Sequence, residues 1–192
     1  MGQLDASDRI LEKGVRQGPP YWSFPFYLSF NHWFYRGDFE KGAHWARVAA
    51  RVPGASPNIS QLAVSLSSKS GTPEETIPLL EELRATVKDE VSASRLDDQL
   101  RLAILERDAQ ALERAVARFK ADRGRDPSSL HELVTAGLVA AIPEDPFGGE
   151  YRWNADEGKV RSTVNPFRFE IRDGPQPAGW VRPEIQPRRQ PE

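Results

Sequence analysis

Arg36–Gly37–Asp38–Phe39–Glu40–Lys41–Gly42–Ala43 closes one apolar stretch and opens another, and Ser70–Gly71–Thr72–Pro73–Glu74–Glu75–Thr76–Ile77 does the same further along. Gly37 and Gly71 stand 34 residues apart, as do Gly42 and Thr76, and Pro20 and Gly54. One period before Gly42 lies Asp8, at the head of the stretch Asp8–Val15. Gly37–Asp38 suits a tight turn between helices, because Gly tolerates positive φ and Asp caps the next helix. Small residues at Gly42, Ala46 and Ala49 recur at helical spacing and let the second helix approach its partner closely. Phe26, Phe30, Trp33 and Phe34 fill the first helix. The pattern predicts helices at 5–17, 21–35, 39–52, 57–68 and 73–86. Thr72–Pro73–Glu74–Glu75 places a capping residue, then Pro at the first helical position, then acids in the first turn. Pro25 and Pro78 fall inside helical windows, so each marks a first turn or a kink. A further pair is expected at 89–106 and 108–123, with stripes at Leu96, Leu100, Ala103, Ile104 and at Leu112, Ala115, Val116, Phe119. Asp108 would stand at its junction, as Asp38 does earlier. The spacing there slips to 36 residues, so the third copy is degenerate.

A 34-residue period of paired helices is the tetratricopeptide value, and the first copy resembles that family. Phe26 stands where the family usually has Trp, Trp33 where it has Tyr, and Gly37–Asp38–Phe39 where it has Gly–Asp–Tyr. Gly42, Ala49 and Pro53 approximate its Ala, Ala and terminal Pro. Phe30 departs from the usual small residue, and Ala46 from the usual aromatic. The second copy, 57–86, keeps Ala63, Gly71, the Pro73–Glu74–Glu75 start and Leu79–Leu80 but lacks the aromatics. The first copy's predecessor is reduced to one helix, Ser7–Gln17, whose Ile10, Leu11 and Val15 need cover. Either the chain continues a longer solenoid, or this helix caps the array.

Eleven of the 18 aromatic residues fall between Tyr21 and Trp45. As a set they read as core, since aromatics carry large buried area. The resemblance also implies a concave wall built from the first helix of each repeat. Transferred by register, its partner-binding positions are Phe24, Tyr27, Asn31 and Phe34 (with Tyr35), then Gln61, Ser65 and Lys69 (with Asn58 and Ser68). The Asn31 amide suits a peptide backbone. The basic residues of a terminal-carboxylate clamp are absent except for Lys69.

After Arg123 the composition changes. Gly124 to Val134 reads as a turn and a short helix ended by Gly137. Pro143–Glu144–Asp145–Pro146–Phe147–Gly148–Gly149 is a proline-fixed loop in which Asp145 caps a turn and Gly148 supplies positive φ. Tyr151–Asn154 and Lys159–Ser162 form a hairpin. The ordered series Gly124, Pro127, Leu130, Leu133, Gly137–Leu138, Pro143, Asp145–Pro146–Phe147–Gly148 and Tyr151 resembles the globular region of type II secretion major pseudopilins over about residues 115–163. The hydrophobic pilin helix, the prepilin-peptidase site and the acidic calcium loop are missing. The resemblance therefore implies neither polymerisation nor calcium binding. Residues 164–192 hold six of the 16 prolines and read as an extended or disordered tail. Phe167–Ile171 alternates like an edge strand, and Trp180 is the tail's one large apolar residue beyond Asp173.

The sequence thus describes a mainly α protein: an antiparallel helix-pair, tetratricopeptide-like solenoid over 1–123, a pseudopilin-like α+β appendage with a β-hairpin over 124–163, and a Pro-rich tail over 164–192. Twenty-six basic residues nearly balance 28 acidic ones, which argues against a nucleic-acid binder. No Cys is present, so disulfides and Cys-ligated metals are excluded. There is no phosphate loop, no Gly-x-Ser-x-Gly elbow, and His32, His44 and His131 lie on three separate helices. No enzyme, cofactor or metal is expected. No apolar run spans a bilayer, and Met1 to Asp5 lacks secretory features. The compartment stays open: cytoplasmic, or envelope-associated if a targeting segment lies upstream. The expected partner is a protein or peptide. The expected role is a bacterial secretion or pilus assembly scaffold, or alternatively a structural C-terminal cap of a larger membrane-anchored repeat protein.

Overall fold

A computed structural model describes residues 2–171. The readings for the chain beyond Asp173, Trp180 included, lie outside the described residues. The protein is mainly helical with a small two-stranded antiparallel sheet. The helices are α1 (Gly2–Gln17), α2 (Ser23–Phe30), α3 (Phe39–Ala50), α4 (Pro57–Lys69), α5 (Pro73–Thr86), α6 (Glu90–Arg123) and the short α7 (His131–Thr135). Strands β1 (Tyr151–Asn154) and β2 (Lys159–Ser162) follow. From α1 to α6, each helix packs against its neighbour in the chain.

The turn chemistry explains the boundaries. Gly37 and Gly71 both adopt left-handed backbone, φ 67° and 73°, which any Cβ would strain. Asp38 Oδ1 accepts the Lys41 N–H at 2.9 Å and caps α3. Ser56 precedes Pro57 at the start of α4, and its Oγ accepts the Asn58 N–H. Thr72 precedes α5, but its hydroxyl turns back to the Ser67 carbonyl rather than capping. Pro25 lies in the first turn of α2, and Pro78 lies inside α5.

Close approach of α2 and α3 depends on small residues. Ala43, Ala46 and Ala49 are wholly buried on α3, and Ala63 faces them from α4. Ser29 Oγ donates to the Gly42 carbonyl at 2.8 Å. A Cβ on Gly42 would lie 2.6 Å from Trp33 Cβ. Gly42→Ala is therefore expected to destabilise by about 1–3 kcal/mol, the cost of forcing a methyl into a packed seam. A urea midpoint lowered at unchanged slope would show it; an unchanged midpoint would mean that α3 slides freely.

Three expectations are corrected. First, the helix pair at 89–106 and 108–123 is one helix, α6, of 34 residues. Asp108 is buried within it, paired with Arg107, and no Gly or Pro interrupts 104–110. Asp89 caps its start through the Ser92 N–H, and left-handed Gly124 ends it. Second, the aromatics of 21–45 are not a filled core. Of these rings Phe39 alone is buried, at 8% exposure, while Tyr21, Tyr27 and Tyr35 are exposed. The rest are half-buried and stack largely on one another, as Phe30 does on Phe34 at 4.6 Å. Third, Phe167–Ile171 adds no strand to the sheet.

Two cores form, and α6 serves both. One holds Phe39, Ala43, Leu66, Leu79 and Leu80 with Ala103 of α6. The other sets Leu105, Ala109, Leu112, Val116 and Phe119 of α6 against Leu130, Leu133, Tyr151 and Val160. The hairpin pairs Tyr151 with Ser162 and Trp153 with Val160. The 145–149 loop is a structural turn, as the sequence implies. Asp145 Oδ1 accepts the Phe147 N–H, Oδ2 accepts the Ser162 hydroxyl at 2.5 Å, and Gly148 has φ 80°.

Candidate partner-binding surface

The predicted partner-binding residues fall on two helices that both pack against α3. Phe24, Tyr27, Asn31 and Phe34 lie on α2 and its continuation; Gln61, Ser65 and Lys69 lie on α4. The α2 continuation is not α-helical. Asn31–Arg36 winds as a π-helix, and the Asp38 N–H closes it onto the His32 carbonyl. One extra residue in a turn rotates everything after it by roughly 100° relative to a straight α-helix. A register carried through 21–35 as one α-helix therefore misplaces positions after Asn31, and Phe34 leaves the stripe of Phe24 and Tyr27.

Tyr27 is 54% exposed and meets Phe26 edge-on, with ring centroids 5.5 Å apart. Gln61 and Ser65 are exposed, and Lys69 is half-buried. Phe34 stacks between Phe30 and the edges of Trp33 and Tyr35. Phe24 is half-buried, edge-on to Tyr21, with its ring against Gly14 of α1. Asn31 is buried, and its amide donates to Asp8 Oδ1 at 2.8 Å and to Ser7 Oγ at 3.3 Å. Arg36 closes the same cluster on Asp8 and Asp5. The Asn31 amide is thus engaged within the chain, between α1 and the π-helical turn.

A second polar cluster was not legible in the sequence. Glu106, Gln110 and Glu113 share one face of α6. Arg168 reaches them from the irregular segment 164–171 and is 8% exposed at its side chain, against 2% for Glu106. Its guanidinium donates to Glu106 at 2.6 and 3.0 Å, to Glu113 at 2.9 Å and to the Val160 carbonyl at 2.6 Å. The Phe169 N–H adds a bond to Glu106, and Gln110 links Glu106 to the Gly71 carbonyl. Glu113 also accepts the Val160 N–H. Burial pushes Glu106 up, but the bonds from Arg168, Phe169 and Gln110 outweigh it and hold the carboxyl below its usual range. The cluster clasps the α4–α5 turn, α6 and the hairpin together.

A cleft of about 720 Å³ opens beside the hairpin, lined by Ser128, His131, Ile142, Asp145, Tyr151 and Trp153 among others. The Tyr151 hydroxyl and the Trp153 indole N–H are buried without hydrogen-bond partners among the described residues. Burial, with Asp108 and Asp145 nearby, raises the Tyr151 hydroxyl well above its usual range, so it stays protonated.

Comparison with family models, with curated proteins and with solved structures finds no match. Among the described residues, no group of three or more His, Asp or Glu is placed to hold a metal ion. No described helix is long and apolar enough to cross a membrane.

Proposed function

We propose that this chain is a non-enzymatic protein-interaction scaffold that uses the α2 aromatic face to dock a helix or extended peptide. The observation that carries the reading is Tyr27, more than half exposed beside Trp22 and Phe26, rings that meet one another edge-on. Aromatic side chains supply large, stiff contact area and dominate interface energetics. The chain of helices packed neighbour on neighbour supports a tetratricopeptide-like solenoid. The continuous run of α6 into a short helix and hairpin supports the pseudopilin-like reading of 115–163. Together these favour a role in assembling a bacterial secretion or pilus machine.

A photo-crosslinker at Tyr27, used in the protein's own cells, tests the role. Envelope secretion or pilus components among the adducts support it. Their absence, with only internal links, argues against it. For an identified partner, Tyr27→Ala is expected to weaken binding on the order of 30-fold, the effect of a hot-spot side chain. Circular dichroism should stay unchanged, because the ring is not core. Unchanged affinity would remove Tyr27 from the interface.

The clasp favours a second, structural reading of the appendage. Arg168 and Gln110 fasten the hairpin module to the end of the helical stack, as a cap would. End units of stacked-helix proteins need such covers.

A further inference from the structure

His32 lies in the π-helical turn, 8% exposed. Its Nε2 stands 3.9 Å from Asp8 Oδ2 of α1, and its Nδ1 stands 3.9 Å from Asp38 Oδ2 at the head of α3. Both separations exceed hydrogen-bond length, and Nδ1 has no hydrogen-bond partner among the described residues. Asp8 is the pivot of α1. It sits among Leu4, Leu11 and Val15 on the stripe facing inward, while Ile10 points out at 72% exposure. Its two oxygens are already engaged by Asn31 and Arg36. Helix α1 covers Phe24 through Gly14 and covers Asn31 through Asp8.

We propose that α1 is an acid-released cover on the α2 face: a proton taken up by His32 loosens α1 from the π-helical turn and uncovers Phe24 and Asn31. This regulation rests on reading α2 as the docking face. The charged groups around the ring are Asp8 from α1, Arg36 from the π-helical turn, Asp38 from the turn after it, and Lys41 from α3. Burial opposes the imidazolium most strongly. Asp8 and Asp38 favour it, while Arg36 and Lys41 oppose it, and the balance holds His32 below its ordinary value of 6.5. The docked state therefore takes up a proton less readily than a state in which the ring is wet. Docking is at full strength above about pH 6.5 and weakens as pH falls below it, by up to tenfold in the opening equilibrium per pH unit. Polar contacts make α1 the helix to yield, since a buried ion pair adds little net stability.

Amide hydrogen exchange of the full chain at pH 7.5 and 5.5, corrected for the intrinsic rate, tests this without any partner. Opening of residues 2–17 is expected to rise severalfold, up to about tenfold, at pH 5.5 while α3 to α6 hold. His32→Gln should abolish the rise. Asp38→Asn keeps the α3 cap but removes one carboxylate that favours the imidazolium in the docked state, and should enlarge the rise at pH 5.5. A rise below twofold in the native chain overturns the proposal, as does a rise that persists in His32→Gln or one that is not enlarged in Asp38→Asn. Such a failure would leave the docking face untouched, because only the Tyr27 experiments address it.

Discussion

Arg168→Ala is expected to destabilise the protein by about 3–5 kcal/mol, the cost of leaving a buried charge without its partner. For a chain of this size that lowers the melting temperature by roughly 10 °C or more. Glu106 is the residue left exposed to that cost: it is 2% accessible and has no solvent to replace the guanidinium. Glu113, half-buried, loses less. The sign of the pH dependence follows from Glu106. Its native carboxyl sits below the usual range, so the clasp's contribution is complete above the unfolded carboxylate value near 4.5 and fades as pH drops through the native one. The gap between native protein and Arg168→Ala should therefore be widest at neutral pH and should close in acid. Glu106→Gln combined with Arg168→Ala should recover part of the loss, since the uncompensated charge is gone. Thermal melts of the three variants at pH 7 and pH 4 check this. An Arg168→Ala protein as stable as the native one would mean that segment 164–171 merely rests on α6.

The clasp shows where sequence reading stops. Arg168 and Glu106 are 62 residues apart, and Arg168 lies in a stretch whose prolines announce a tail. Only one local signal pointed inward. Glu106, Gln110 and Glu113 form a polar stripe on a helix whose adjacent residues Leu105, Ala109 and Leu112 are core, and buried polar groups require partners. By contrast, the turns were legible because their chemistry is local. Gly37, Asp38 and Gly71 demand their backbone shapes whatever surrounds them. The hairpin and the Asp145–Gly148 turn were legible for the same reason. The π-helical turn was not, because an extra residue in a helix leaves no compositional mark. That one insertion turns Phe34 off the stripe of Phe24 and Tyr27, whereas Asn31, which precedes the shift, is engaged by Ser7 and Asp8 of α1, a pairing more than 20 residues away in sequence.

Asp108 misled the reading of α6 in an instructive way. An Asp between two apolar stripes has the look of a cap, yet nothing near it breaks a helix. The backbone continues because Arg107 satisfies the carboxylate and the flanking residues favour helix. Ala111→Pro puts the two alternatives in opposition. Ala111 is exposed, so its side chain contributes little packing, and the substitution acts on the backbone alone. In a helix that began near 108, residue 111 would lie in the first turn, where Pro costs little. In a continuous α6 it removes a mid-helix hydrogen bond and clashes with the preceding turn, at about 3 kcal/mol or more. Ala111→Gly serves as the control, at about 1 kcal/mol. The consequence should exceed a local defect. Ala103 anchors α6 in the first core, and Leu105 to Phe119 build the second, so a break at 111 divides the helix within the second core. Denaturation of Ala111→Pro should therefore lose its single transition and show the hairpin module melting before α3–α5. A single transition, displaced no further than that of Ala111→Gly, would restore the two-helix reading of 89–123.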